Sequence, residues 1–171
     1  MQVKPRKLRD NWPLPITQGE AMYKRILVAV DGSGTANRGL KEALRLAKAH
    51  RARICLLHVV EEFFITQAGE AAMYAEQMFK TLRAEGRRIL SRAQALARRQ
   101  GLRARPVLVE SVTQPVANII IREARKWNAD LIVLGTHGRR GIRRVVMGSD
   151  AEQVVRATPV PVLLVRAPGR R

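Results

Sequence analysis

The sequence predicts an α/β fold: a single open sheet of five parallel strands with helices on both of its faces. Three observations carry that prediction. Five short runs are apolar without interruption, as strands buried on both faces must be. Stretches with apolar residues at helical spacing separate those runs. The first and fourth runs each end in glycines that lead into a helix start, which is the βα turn of a doubly wound sheet.

The first strand is Ile26-Leu27-Val28-Ala29-Val30, ending at Asp31. Gly32-Ser33-Gly34-Thr35 then makes a turn and supplies a helix N-cap. Leu40, Ala43, Leu44 and Ala47 mark one face of the helix that follows, and His50 closes it as a cation at its C-terminus. The second strand, 53–60, carries Cys55, a buried small hydrophobe, and His58, a core histidine held by a backbone partner. Residues 61–69 are irregular, with Phe63 and Phe64 exposed. A long helix runs from Glu70 to Gln100; Gly86 predicts a bend in it and Gly101 a glycine terminus. Residues 105–110 form the third strand. Thr113-Gln114-Pro115 opens the next helix, with proline in its first turn, and that helix ends near Trp127-Asn128. The fourth strand is Asp130-Leu131-Ile132-Val133-Leu134. A glycine loop leads to a helix with Ser149 as its N-cap, and 160–166 is the last strand.

Length and charge bound what such a chain can do. Its 171 residues make one domain able to bury a core. Residues 1–22, with Lys4, Arg6, Lys7 and Arg9 ahead of Trp12-Pro13-Leu14-Pro15, have neither helical nor strand period and form a basic mobile tail. The domain is 23–171. One cysteine excludes an intramolecular disulfide and suits a reducing, cytoplasmic setting. No apolar run spans a bilayer, so no membrane is expected, and the basic N-terminus lacks the apolar core of a signal peptide. The net charge of +18 gathers in part on Arg83, Arg87, Arg88, Arg92, Arg98 and Arg99, the solvated face of an amphipathic helix. With few aromatics and no helix-turn-helix or RNA-binding signature, specific nucleic-acid binding is not expected, though weak, salt-sensitive binding to polyanions is.

The most informative segment follows the fourth strand. Gly135-Thr136-His137-Gly138, nine further residues and Gly148-Ser149 lead into Asp150-Ala151-Glu152-Gln153-Val154-Val155. Glycines allow backbone N–H groups to approach an anion closely, and a helix start adds unpaired donors and partial positive charge. This is not a Walker loop, since no G-x-x-x-x-G-K-[ST] occurs. Nor is it a Rossmann fingerprint, because Asn37 stands where Gly32-Ser33-Gly34 would need a third glycine.

The spacing G-x-x-G, nine residues, G-S resembles the ATP-binding signature of the universal stress protein family. The opening Lys24-Arg25-Ile26-Leu27-Val28-Ala29-Val30-Asp31-Gly32-Ser33 resembles it as well. That resemblance implies a Rossmann-like sheet in the order 3-2-1-4-5, similar to the adenine nucleotide alpha hydrolase fold. It places Ala29 and Asp31 beside the nucleoside and Val59 against the adenine. Gly135, Thr136, His137, Gly138, Arg139 and Arg140 would wrap ribose and phosphates, and Gly148, Ser149, Asp150 and Ala151 would complete the phosphate cradle. The implied cofactor is ATP with Mg2+, since Asp150 near a γ-phosphate calls for a divalent cation. His137 is read as ordering the loop, and no catalytic residue is assigned. The resemblance further implies a homodimer through strand 160–166.

The function expected is an ATP-binding switch or sensor in a stress response, with slow or no hydrolysis. A rival is an adenylyl-transferring or ATP-pyrophosphatase enzyme, whose S-G-G-x-D-S loop Asp31-Gly32-Ser33-Gly34 echoes loosely. A third reading is a basic adaptor with a vestigial nucleotide site.

Overall fold

The computed structural model describes residues 22–61, 70–136 and 148–166. In chain order the elements are β1 (Arg25–Ala29), α1 (Gly34–His50), β2 (Arg53–Glu61), α2 (Glu70–Arg99), β3 (Ala104–Ser111), α3 (Val116–Trp127), β4 (Leu131–Gly135), α4 (Ser149–Ala157) and β5 (Val162–Val165). The strands form one parallel sheet in the order β3-β2-β1-β4-β5, as the resemblance implied. Phe63, Phe64 and the tail lie outside the described residues.

Strand alternation sends successive side chains to opposite faces. Ile26, Val28, Ile54, Leu56, Leu131 and Val133 pack beneath α1 and α2. Leu27, Leu57, Ile132 and Leu134 pack beneath α3 and α4. Both faces are covered, so the strand cores are continuously apolar.

Three helices end alike. Leu102 N–H reaches back to Ala97 O (3.0 Å) and Gly101 N–H to Arg98 O (2.9 Å), with Gly101 at φ 76°. This paired bonding around a left-handed residue satisfies carbonyls that the helix leaves over. Arg51 and Asn128 hold the same left-handed place after α1 and α3, at φ 52° and 54°. Pro115 is the N-cap of α3 rather than part of its first turn, its carbonyl accepting from Asn118 N–H at 3.0 Å.

Gly86 has a different role from the bend its helix position predicts. The helix α2 runs unbroken through it. A Cβ there would lie 2.7 Å from His58 Cδ2 and 2.8 Å from Leu108 Cδ1, so the missing side chain lets α2 settle on the sheet over a buried ring. His58 is held as expected: its Nδ1–H donates to the Val30 carbonyl at 2.6 Å.

Candidate functional site

The order β3-β2-β1-β4-β5 reverses direction between β1 and β4. From β1 the chain winds outward through β2 and β3, then crosses back to β4. The connections after β1 and β4 therefore leave in opposite directions, opening a crevice at the strands' carboxyl ends. Register pairs Val28 with Val133 and Ala29 with Leu57. Asp31 and Val59, two residues beyond Ala29 and Leu57, thus come level at the crevice rim, and Ala29 and Val59 are half-buried there.

The turn after β1 is closed by its own side chains. Asp31 Oδ1 accepts from Ser33 N–H at 2.9 Å, and Ser33 Oγ accepts from Ala36 N–H at 3.1 Å as the N-cap of α1. Thr35 Oγ1 lies 3.2 Å from Ser33 Oγ. These bonds satisfy donors at the helix start and hold the loop against the sheet. Asp31 Oδ2 makes no hydrogen bond among the described residues.

Gly135, at the end of β4, is glycine for a reason internal to the fold. A Cβ there would meet Ala36 N at 2.8 Å and Thr35 C at 2.9 Å, so α1 sits directly on the β4 backbone. No sequence spacing signals that contact, because it joins residues about a hundred positions apart. The chain continues as Thr136, which is buried and whose N–H bonds Val165 O at 3.0 Å.

Gly148 N–H donates to the Thr136 carbonyl at 2.8 Å. The two ends of the glycine segment are thereby tied together, and α4 begins where β4 ends. Gly148, not Ser149, is the N-cap of α4, with φ −62° and ψ 145° and no side-chain capping bond. Ser149 is instead the first helical residue and is exposed, so its hydroxyl is not committed to capping. The N–H groups of Ser149, Asp150 and Ala151 have no acceptor within the helix; the first intrahelical bond is Glu152 N–H to Gly148 O at 3.0 Å. Asp150 is exposed in this first turn, where a carboxylate favours the helix.

The structure therefore brings Ala29, Asp31, Val59, Gly135, Thr136, Gly148, Ser149, Asp150 and Ala151 to the carboxyl end of the sheet. His137, Gly138, Arg139 and Arg140 lie outside the described residues. Among the described residues no group of three or more His, Cys, Asp or Glu side chains could hold a metal ion. No helix among them is long and apolar enough to cross a membrane.

Residues 22–166 match the model of the universal stress protein family. The chain belongs to that family. It is 34% identical over 154 residues to a universal stress protein of Methanocaldococcus jannaschii, covering 90% of this chain and 88% of that one. A universal stress protein family structure from Burkholderia pseudomallei superposes with a TM-score of 0.70 at 39% identity, covering 86% of this chain and 98% of the other. The universal stress protein of Archaeoglobus fulgidus in complex with dAMP superposes at 0.57 with 25% identity, over 84% and 98% of the two chains.

Proposed function

We propose that this universal stress protein binds ATP, accompanied by Mg2+, in the crevice between β1 and β4 and works as a nucleotide-dependent switch or sensor in a cytoplasmic stress response. The observation that carries the reading is the Gly148–Thr136 bond, which sets the unbonded N–H groups of α4 beside the open end of β1. Backbone donors at a helix start are an anion site. The relative bound to dAMP supports an adenine nucleotide as its occupant.

In this reading Ala29 and Val59 flank the adenine, and Asp31 Oδ2 accepts from a ribose hydroxyl. Gly135, Thr136, His137, Gly138, Arg139 and Arg140 surround ribose and phosphates, while Gly148, Ser149, Asp150 and Ala151 hold the phosphates. Mg2+ would arrive with the phosphates, offsetting the charge of Asp150, rather than enter a protein cage.

Hydrolysis is proposed to be slow or absent, because the sequence supplies no Walker lysine. The pyrophosphatase alternative would need the loop after β1 to grip phosphate. That loop has already turned Ser33 N–H and Ser33 Oγ inward on its own cap, which favours the switch.

Asp31→Ala tests the placement of the nucleoside. Adenosine and ATP should both weaken by about 1–3 kcal/mol, the worth of a hydrogen bond to a charged group, with and without magnesium in a calorimetric titration. A loss confined to magnesium–ATP would move Asp31 from the ribose to the metal.

A further inference from the structure

All five strands start at one edge of the sheet, opposite the crevice, and α1 and α2 end there. Arg25 and Arg53 are register partners on β1 and β2. Arg103 precedes Ala104, the partner of Ile54, and so stands beside Arg53. Neighbouring strands are about 4.8 Å apart. Lys48 lies in the last turn of α1 and Arg51 just after it, while Arg98 and Arg99 close α2. Lys48, Arg51, Arg53, Arg98, Arg99 and Arg103 are all exposed, and none is in an ion pair among the described residues. The carboxylate at this edge is Asp130. Its two oxygens accept from the backbone N–H groups of Lys24 (2.7 Å) and Arg25 (3.0 Å), and it forms an ion pair with none of the six, leaving the edge strongly positive.

Elsewhere on the same two helices three cations are paired locally, while Arg38, Lys41, Arg87 and Arg92 stand exposed and apart, without an ion pair among the described residues; the edge differs in gathering six such cations in one place. Arg45 bonds Glu42, Lys80 bonds Glu76, and Arg88 approaches Glu85, each within one helical turn. Helix electrostatics account for Lys48, Arg98 and Arg99 in the last turns. They do not account for Arg51, Arg53 and Arg103, which lie outside the helices. Arg51 even holds the left-handed backbone at φ 52° that glycine adopts with less strain, while Gly101 fills the matching place after α2. Six like charges on one edge repel one another, so the edge gains from a bound polyanion.

We propose that this amino edge docks the phosphate backbone of duplex nucleic acid without reading its bases. Guanidinium groups match phosphate oxygens bidentately. Toward this edge the apolar residues of α1 and α2, among them Leu44, Ala47, Ala93 and Ala97, are buried in the core, which leaves no apolar face there among the described residues to insert into a bilayer. Tyr23, the aromatic ring nearest the edge in sequence, is packed edge-on against His50 at 5.9 Å, which disfavours the base stacking that single strands use. The proposal stands apart from the nucleotide crevice at the other end of the strands.

The test is fluorescence anisotropy of a labelled, random-sequence duplex of about 20 base pairs across a salt series, since each contacted phosphate contributes about −0.9 to the slope of log K against log salt. The triple variant Arg51→Glu, Arg53→Glu, Arg103→Glu should lose at least about ten-fold in affinity and flatten the slope by about 2.7, three contacts' worth. Lys41→Glu, Lys80→Glu, Arg87→Glu makes the same change in net charge away from the edge. It should flatten the slope by less than about one. Equal losses in the two variants would show that overall charge binds, not the edge, and would overturn the proposal. So would binding to vesicles of mixed neutral and anionic phospholipid without binding to the duplex. Should charge reversal unfold the chain, as circular dichroism would show, the three glutamine substitutions replace it. Unchanged affinity in that folded variant would also overturn the proposal.

Discussion

At Cys55 burial becomes a chemical property. The side chain is buried on β2, where Leu27 and Arg105 are its register partners. Burial pushes its thiol up to about 11, against a smaller downward pull from the Arg105 guanidinium. The folded chain therefore keeps a proton that the unfolded chain releases at lower pH. Cys55 stabilises the fold fully below the ordinary thiol range, and that contribution is lost as pH rises toward about 11. Cys55→Ala should flatten the fall in denaturant stability across this alkaline window, and parallel falls in the two proteins would contradict the burial argument. The chain's sequence showed Cys55 to be buried because its neighbours are apolar. It could not show that Gly135 is glycine to admit α1, since that contact exists only after folding.

Periodicity and turn residues placed every described helix and strand within about two residues, because those signals are local. Departures from that reading come from contacts between elements. Pro115 and Gly148 became N-caps where proline and serine patterns suggested otherwise, and Gly86 became a seat for His58 rather than a bend. The last case decides a sign. Glycine to alanine inside a helix ordinarily stabilises by about 1 kcal/mol. Here the new Cβ would press on a ring pinned by its bond to Val30 O, at 2.7 Å from Cδ2. Overpacking of that kind costs about 1–3 kcal/mol. Gly86→Ala should lower the urea midpoint with an unchanged slope; a raised midpoint would mean that α2 does not rest on His58.

For the whole molecule, the outer side of β5, which no strand among the described residues pairs, and the crevice set two further expectations. Ile132 N–H bonds Pro161 O, and Thr136 N–H bonds Val165 O, so odd-numbered residues of β5 face β4 and Val162 and Leu164 turn their backbone groups outward. An apolar edge left in this state invites pairing with a second copy about a two-fold axis. Light scattering should give twice the chain mass, and Leu164→Pro, which removes an outward donor, should shift it toward monomer. A monomeric wild type at high concentration would contradict the pairing.

If phosphate binds at the start of α4, the space beside Gly148 must stay open for it. The Gly148 φ of −62° and ψ of 145° are open to any residue, so Gly148→Val places a branched Cβ at the start of α4 without backbone strain. Calorimetric titration of ATP should show binding to the wild type and none to folded Gly148→Val. Equal affinity in the two proteins would place the nucleotide somewhere other than the start of α4.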